Sequence, residues 1–307
     1  MDSTVHYPRK AVFLFGPTGV GKTRLAVDIA RGRCEIISVD SMQVYRDMEI
    51  GTAKPGPGDL ERVAHHLVSI VEPDYRFSAG DFKRLALGAI DDITGRGKIP
   101  LLVGGTGLYF RALESRLGDA PPADLELRRS LYREEEKSRG ALHRRLLAVD
   151  PETADRLHPN DVVRVVRALE IFALTGKTFS RFTKMEVCDN LDVLKIGVTI
   201  EREELYARLE NRCERMIDSG LGVEVYGLLS SGCDERCPSM KGIGYSHFID
   251  YFKGCFSFDE TVRRFKRDTR RYAKRQLTWF RREKDVRWFD PRDVRGVSGE
   301  IDRFFTP

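Results

Sequence analysis

The sequence is poor in the features that would tie it to a membrane or to an oxidising compartment. Its 307 residues hold six cysteines, scattered along the chain, and two tryptophans. Scattered cysteines exclude a small disulfide-built scaffold. Cys233 and Cys237 stand close together, but no second Cys or His pair follows at zinc-finger spacing, so no structural zinc site is expected. Long apolar runs are missing as well. Ala11–Phe15 and Ile99–Val103 fall far short of the ~20 residues a transmembrane helix needs. Few residues precede the first apolar run, Asp2 among them, so no signal or transit segment is expected. A reducing, cytoplasmic setting with no membrane partner is the expectation. Neither an internal repeat nor a low-complexity tract occurs, which argues against a solenoid or a disordered chain.

What is present suits a soluble protein with a sizeable core: 41% apolar and 32% charged residues. At ~100–200 residues per domain the length suggests two domains, or one large domain with an insertion. The net charge is only +5, but it is unevenly spread. Between Thr261 and Lys284 eleven Lys/Arg face two acids, Asp268 and Glu283, which gives +9 locally and −4 for the rest. A basic strip on an otherwise slightly acidic chain points to a localised polyanion site.

Apolar runs at 11–15, 35–39 and 100–103 end at glycine or aspartate and alternate with helical patterns at 22–30 and 80–94. That is the signature of βαβ units and a parallel sheet. After the breaker cluster at 118–124 the chain turns to charged amphipathic helices until about residue 184, then 194–200 alternates like a strand again. Helices are predicted near 202–218, 221–230, 245–253 and 258–283. The expected fold is α/β: a P-loop NTPase-like parallel sheet (1–114), a helical insertion (115–190), and a continuation of the core with basic C-terminal helices (191–307).

Gly16-Pro17-Thr18-Gly19-Val20-Gly21-Lys22-Thr23 fits the phosphate-binding pattern GxxxxGK[ST], after a strand and opening a helix. Its backbone N–H groups and the helix N-terminus favour an anion, Lys22 adds a cation, and the Thr23 hydroxyl can hold Mg²⁺. The motif indicates a diphosphate or longer chain without saying whether a phosphoryl group moves. Asp40 follows the second strand. Periodicity alone leaves it as a metal-holding acid, a general base or a turn cap.

The segment Asp40-Ser-Met-Gln-Val-Tyr-Arg46, with Ile50-Gly-Thr-Ala-Lys-Pro55, resembles the signature of the tRNA dimethylallyltransferase family. The likeness continues through His65-His66-Leu67, Phe77–Phe82, Gly104-Gly105-Thr106-Gly107-Leu108-Tyr109, Asn160-Asp161 with Arg164 and Arg167–Glu170, Met216–Gly220 with Glu224-Val225, Ile243-Gly244-Tyr245, and Tyr272-Ala-Lys-Arg-Gln276 with Thr278–Arg281. The P-loop is a weak identifier; the DSMQVYR, GGTGLY and AKRQLTW blocks together are specific. The resemblance implies transfer of a dimethylallyl group from dimethylallyl diphosphate to N6 of adenosine 37, next to the tRNA anticodon, with release of diphosphate. The P-loop, Gly16 to Thr23, would then cradle a leaving group, helped by Arg212 and by Mg²⁺ at Thr23.

By the same resemblance Asp40 becomes the general base, with Thr106 and Lys22 beside it. Ser41, Met42, Gln43 and Thr106 would join Asp40 in reading the flipped adenine and its neighbours. Arg128, Arg164 and Arg167 of the insertion, Lys241, Gly244 and Tyr245, and Lys274, Arg275, Gln276, Thr278, Trp279 and Arg281 of the basic strip would hold the anticodon stem-loop. A single chain, a monomer, is expected to act. For the arginines a solvated helix face is the plain alternative. For the aromatics of the strip, including Tyr272, part of the surface is expected in the core. His65-His66 reads as structural. Two positions depart from the family pattern: Val162-Val163 stands where Pro-Gln is frequent, and Ser246-His247 where a basic residue and an acid or amide are usual.

Three other readings remain at this point. A P-loop kinase of a small metabolite would use ATP at Lys22 and Asp40 as base, but leaves the insertion and the basic strip without a purpose. An adenylate isopentenyltransferase acting on free nucleotides needs neither of them. A non-catalytic RNA-binding switch is the third.

Overall fold

The computed structural model describes residues 9–115, 119–184 and 191–306. Two of the expected domain junctions, at 114/115 and 190/191, border segments outside the described residues. By contact density the chain divides into one unit of residues 1–78, 84–110 and 190–307, and a second of residues 79–83 and 111–189.

The first unit is built on six parallel strands: β1 (Arg9–Phe15), β2 (Cys34–Val39), β3 (His65–His66), β4 (Ile99–Gly104), β5 (Leu191–Val198) and β6 (Val286–Phe289). Their order in the sheet is β3-β2-β4-β1-β5-β6. The central strands are buried on both faces, which is why β1 and β2 read as continuous apolar runs rather than alternating ones. Register makes β1, β4 and β2 end level: Phe15 and Val39 both pair with Gly104. The loops that follow these three strands therefore emerge side by side at the carboxyl edge of the sheet, where open α/β folds bind ligands. Helix α1 (Lys22–Ala30) packs Leu25, Ala26, Ile29 and Ala30 into the core.

Around the sheet, in chain order, lie α2 (Pro57–Arg62), α3 (Ala79–Gly95) and α4 (Gly107–Glu114), and later α10 (Arg202–Asp218), α11 (Leu221–Ser230), α12 (Tyr245–Phe252), α13 (Phe258–Phe280) and α14 (Val294–Phe305). A 3-10 turn covers Pro238–Lys241. The strand pattern expected at 194–200 is β5, which starts three residues earlier and stops at Val198. Neither β6 nor α14 was anticipated. The four residues of β6 alternate only weakly, and β3 has just two residues, too few for a periodic signal.

The second unit is helical: α5 (Leu125–Lys137), α6 (Ala141–Val149), α7 (Pro151–Arg156), α8 (Val162–Thr175) and α9 (Phe179–Lys184). Asp124, Asp150 and Asp161 cap α5, α7 and α8 through their side chains. Leu131, Leu142, Leu146, Val165, Val166 and Leu169 form its own core. No strand lies among its described residues.

Candidate active site at the carboxyl edge of the sheet

The three level strand ends deliver the P-loop after β1, Asp40 after β2 and Gly104–Thr106 after β4. In the sheet β4 separates β1 from β2, so Thr106 sits between the P-loop and Asp40. The Thr106 N–H donates to the Val39 carbonyl at 3.2 Å, and its Oγ1 accepts from Ser41 N–H at 3.1 Å. Asp40 is half-buried and turns back on its own loop: Oδ1 accepts from Met42 N–H at 2.8 Å and from Gln43 N–H at 3.3 Å. Both bonds land on one oxygen, which leaves Oδ2 with no hydrogen-bond donor among the described residues. One residue thus serves as turn cap through one oxygen while presenting the other.

The P-loop opens α1 through Gly21, whose φ of 109° is one that a side chain would strain. Lys22 Nζ donates to the Gly16 and Pro17 carbonyls at 2.9 and 2.8 Å. Burial chiefly, and then the neighbouring Arg212 cation, lower the Lys22 ammonium to about 7, with the Asp40 carboxylate pulling the other way. Burial likewise lowers Arg212, again opposed by Asp40. Two cations therefore share one carboxylate in a poorly solvated place, an arrangement one positive charge too many until an anion arrives.

A cavity of about 290 Å³ opens on Asp40 and Arg212, lined by Thr18, Asp40, Ser41, Met42, Gly51, Thr52, Arg212, Lys241, Tyr272 and Arg275 together with apolar side chains such as Met216, Ile243 and Phe265. It has the mixed character of a ligand site, mostly apolar with a few convergent polar groups. Tyr272 is half-buried, as a partly core residue should be, and it also lines the cavity, where burial and the nearby Asp40 carboxylate push its ionisation up to about 12. A phenol so placed stays protonated at neutral pH. The spacing of Phe265, Thr269 and Tyr272 along α13 was the signal available for it.

The geometry assigns several expected site residues to bracing. Gln276, 6% exposed, spends its amide on two loops: it donates from Nε2 to the Gly105 carbonyl at 2.9 Å and accepts at Oε1 from Thr18 N–H at 2.8 Å. A Cβ on Gly105 would lie 2.2 Å from Gln276 Nε2, and one on Gly107 would lie 2.3 Å from the Trp279 ring. Gly105 and Gly107 of the GGTG turn are there to admit α13. Gln43 is committed too: Oε1 accepts from the Ser38 hydroxyl at 2.8 Å and Nε2 donates to the Ala53 carbonyl at 3.1 Å. Tyr245 is fully buried, its hydroxyl donating to Glu224 at 2.6 Å. The preceding Gly244 is buried in a positive-φ turn at the head of α12. Gly244, Tyr245 and Gln276 thus lie inside the protein, where an RNA chain does not reach them as they stand.

Glu224 had no assigned role. Its carboxylate also accepts from the N–H groups of Glu49, Ile50 and Gly51 at 2.8, 2.8 and 3.1 Å, which fixes one wall of the cavity. Nothing local in the sequence announces this, because its partners lie some 175 residues away. His247, at one of the departing positions, accepts the Gly244 N–H at Nδ1 and donates from Nε2 to Asp268. His65 donates from Nδ1 to the Val63 carbonyl, and His66 pairs with Glu35, which fits the structural reading of both.

Lys241, Lys274, Arg275, Thr278 and Arg281 are exposed, and Trp279 is half-buried. In the helical unit, Arg164 is exposed and beside it Val163 is 69% exposed. Arg128 and Arg167 are not free: both bind Glu170, which is fully buried, Arg128 through two bonds of 2.8 Å.

Among the described residues no three His, Cys, Asp or Glu side chains stand together as metal ligands. The exposed Thr23 offers a single hydroxyl. So small a donor set fits Mg²⁺, which keeps several waters and draws other oxygens from phosphates, and does not fit a cation that needs a protein cage.

The IPP transferase family model matches residues 43–283, and an isopentenyl transferase model matches residues 9–69. The chain is 49% identical over 301 residues to tRNA dimethylallyltransferase 2 of Geotalea uraniireducens, covering 96% of this chain and 97% of that one. The chain belongs to the tRNA dimethylallyltransferase family. Its relative in Geobacillus thermodenitrificans is 46% identical over 96% of this chain and 95% of its own. Among solved structures, a full-length tRNA isopentenylpyrophosphate transferase of Bacillus halodurans aligns with a TM-score of 0.70 at 42% identity, over 96% and 95% of the two chains. A eukaryotic dimethylallyltransferase acting on tRNA aligns with a TM-score of 0.80 at 29% identity, over 96% of this chain and 77% of that one. Membership accounts for the P-loop-like α/β core. No described helix is long and apolar enough to cross a membrane.

Proposed function

We propose that the protein transfers the dimethylallyl group of dimethylallyl diphosphate to N6 of adenosine 37, beside the tRNA anticodon, and releases diphosphate. The observation that carries this reading is a carboxylate with a free oxygen, Asp40 Oδ2, in one small cavity with the Arg212 cation, and close enough to the P-loop Lys22 to interact with its charge. Family membership supplies the substrates that such a pairing of base and anion cradle would serve.

The C1–O bond of the donor breaks as the N6–C1 bond forms. Negative charge grows on the departing diphosphate, where Lys22, Arg212 and the N–H groups at the start of α1 favour it. An exocyclic adenine amine is a weak nucleophile because its lone pair is delocalised. Asp40 orients it and takes its proton, an assistance typically worth ~10²–10⁴-fold. Thr106, whose Oγ1 accepts the Ser41 N–H, fixes the Asp40 loop, and the neutral Tyr272 hydroxyl stands near the groups that react there. Mg²⁺ bound at Thr23 would add positive charge to the leaving diphosphate. The apolar wall of Met216, Ile243 and Phe265 suits a five-carbon allyl chain and keeps water from the reacting carbon.

Lys274, Arg275, Thr278, Trp279 and Arg281 on α13 would grip the anticodon loop, with Arg164 on the stem. The enzyme would act as a monomer in the cytoplasm. Incubation with labelled dimethylallyl diphosphate and, separately, tRNA, AMP or ATP tests the reading. Label on tRNA alone is expected. Label on AMP or ATP would mean a free-nucleotide transferase, and label on none of them would overturn the activity.

A further inference from the structure

Helix α13 has two different exposed flanks. One carries Tyr272 and Arg275 into the Asp40 cavity. The other, with Lys274, Leu277, Thr278 and Arg281 at successive turns, borders a second and roomier concavity of about 630 Å³. This groove lies at the carboxyl ends of β5 and β6, and its other walls come from the first turns of α10 and from Trp288–Arg292. It is thus on the same edge of the sheet as the active cavity, on the far side of the P-loop, where Gly16 abuts Val198 and Gly21 abuts Pro291.

Its lining is unusual for a surface cleft. Arg202, Lys274 and Arg281 are exposed and form no ion pair among the described residues, whereas Arg292 is held by Asp290 and Glu204. Two aromatic faces stand between these cations. Tyr206 is half-buried with the Arg202 guanidinium 5.2 Å above its ring. Trp288 is 37% exposed; a Cβ on Gly197 would lie 2.6 Å from its ring, which leaves one indole face on the sheet and the other toward the groove. Exposed cations beside an indole face, with Arg202 lying over a tyrosine ring as a second flat surface, in a volume within the ~300–1,000 Å³ usual for small-ligand sites, suit a phosphate and a stacked base together.

We propose that this second groove binds one unpaired nucleotide of the anticodon loop, a neighbour of the adenine that enters the Asp40 cavity. Arg202, Lys274 and Arg281 take its phosphate, and Tyr206 and Trp288 take its base. Helix α13 then works as a wedge between two bases of the same loop, and the groove selects for RNA with an unstacked neighbour. The proposal rests on the tRNA reading above.

Arg202→Ala and Tyr206→Leu test it without entering the active cavity. With an anticodon stem-loop RNA as the probe, Tyr206→Leu should weaken binding on the order of tenfold with an unchanged salt slope, as loss of one stacked base predicts. Arg202→Ala should weaken binding and flatten the salt slope by about one unit. Both should keep the wild-type transfer rate at saturating RNA. In a Trp279→Phe background Trp288 is the one remaining tryptophan, and its fluorescence should respond to the stem-loop and not to inorganic diphosphate. Wild-type affinity in both variants, or a response to diphosphate alone, would overturn the proposal. The unmodified protein's transfer to the same RNA is the control: no transfer there, with binding still weakened by the variants, sinks the activity and spares the groove.

Discussion

Two groups of arginines and lysines, one in each unit, look equivalent along the chain and are opposite in structure. Arg128 and Arg167 of the helical unit converge on Glu170, which has no solvent access. Burial alone would raise the Glu170 carboxyl, but the two guanidinium groups outweigh it and hold it below the ordinary carboxylate range. That cluster is complete as it stands. At the sheet edge Lys22 and Arg212 share only Asp40, and both are shifted toward losing their protons by burial. That cluster is incomplete and ready for an anion. The lesson is that a cation's role follows from whether its counter-charge is already in the fold. A buried carboxylate partner turns an arginine into structure, and a missing one turns it into a site.

Four experiments would sharpen or break this contrast. The largest effect is expected at Asp40. Asp40→Asn keeps an oxygen for the Met42 and Gln43 N–H groups, so the loop should hold and substrate affinity should change little. It cannot take the amine's proton, so single-turnover rates should fall by at least ~10²-fold. Recovery of the rate in excess Mg²⁺ would mean that Asp40 holds metal and does not act as the base.

Glu170→Ala comes next. It leaves Arg128 and Arg167 facing each other with no counter-charge, and removal of one partner from a buried pair costs ~3–5 kcal/mol. Denaturant melts should show that loss while folded protein keeps its turnover at saturating tRNA. Because the Glu170 carboxyl is depressed in the fold, its contribution to stability is present at neutral pH. It fades as the pH falls from the unfolded carboxylate value down through the lower folded one. A turnover defect without a stability defect would place Arg128 and Arg167 at the RNA after all.

Lys22→Met should act in the opposite sense on stability. A lysine lowered to about 7 in the fold from its ordinary 10.5 makes the protein less stable below the unfolded value, with the full penalty reached below pH 7. Removing it should raise the melting temperature at pH 7, roughly 2–4 °C for each ~1 kcal/mol relieved, while turnover collapses. The same shift predicts that binding of diphosphate to the unaltered protein takes up a proton near pH 8. Calorimetry in buffers of different ionisation enthalpy measures it, and an absence of uptake would mean that Lys22 is already charged.

Arg275→Ala is the mildest. Arg275 is exposed at the rim of the cavity with its guanidinium 5.7 Å from the Tyr272 ring. Its loss should weaken tRNA binding a few-fold and lower the salt slope by about one unit. An unchanged slope would show that it leans on Tyr272 and not on a phosphate.

The split between what was legible and what was not runs along chain distance. The sequence by itself determined the parallel core, because strands buried on both faces must read as unbroken apolar runs. It also determined the phosphate loop and its helix, since the glycines and Lys22-Thr23 act through neighbouring backbone. The helical make-up of 125–184 was likewise local, carried by periodicity and by capping aspartates. Only the tertiary structure decided which polar residues were free to act. Gln276, Gln43 and Tyr245 carry the chemistry of recognition, yet they are consumed by partners from other loops. Glu224 acquires its importance wholly from the backbone of residues 49–51. Tyr272, half-buried, gives its remaining surface to the site because α13 is let in close by Gly105 and Gly107. Hydrogen-bond capacity is finite, and a sequence lists donors and acceptors without saying which are already spent; only packing brings distant partners within 3 Å and settles that account.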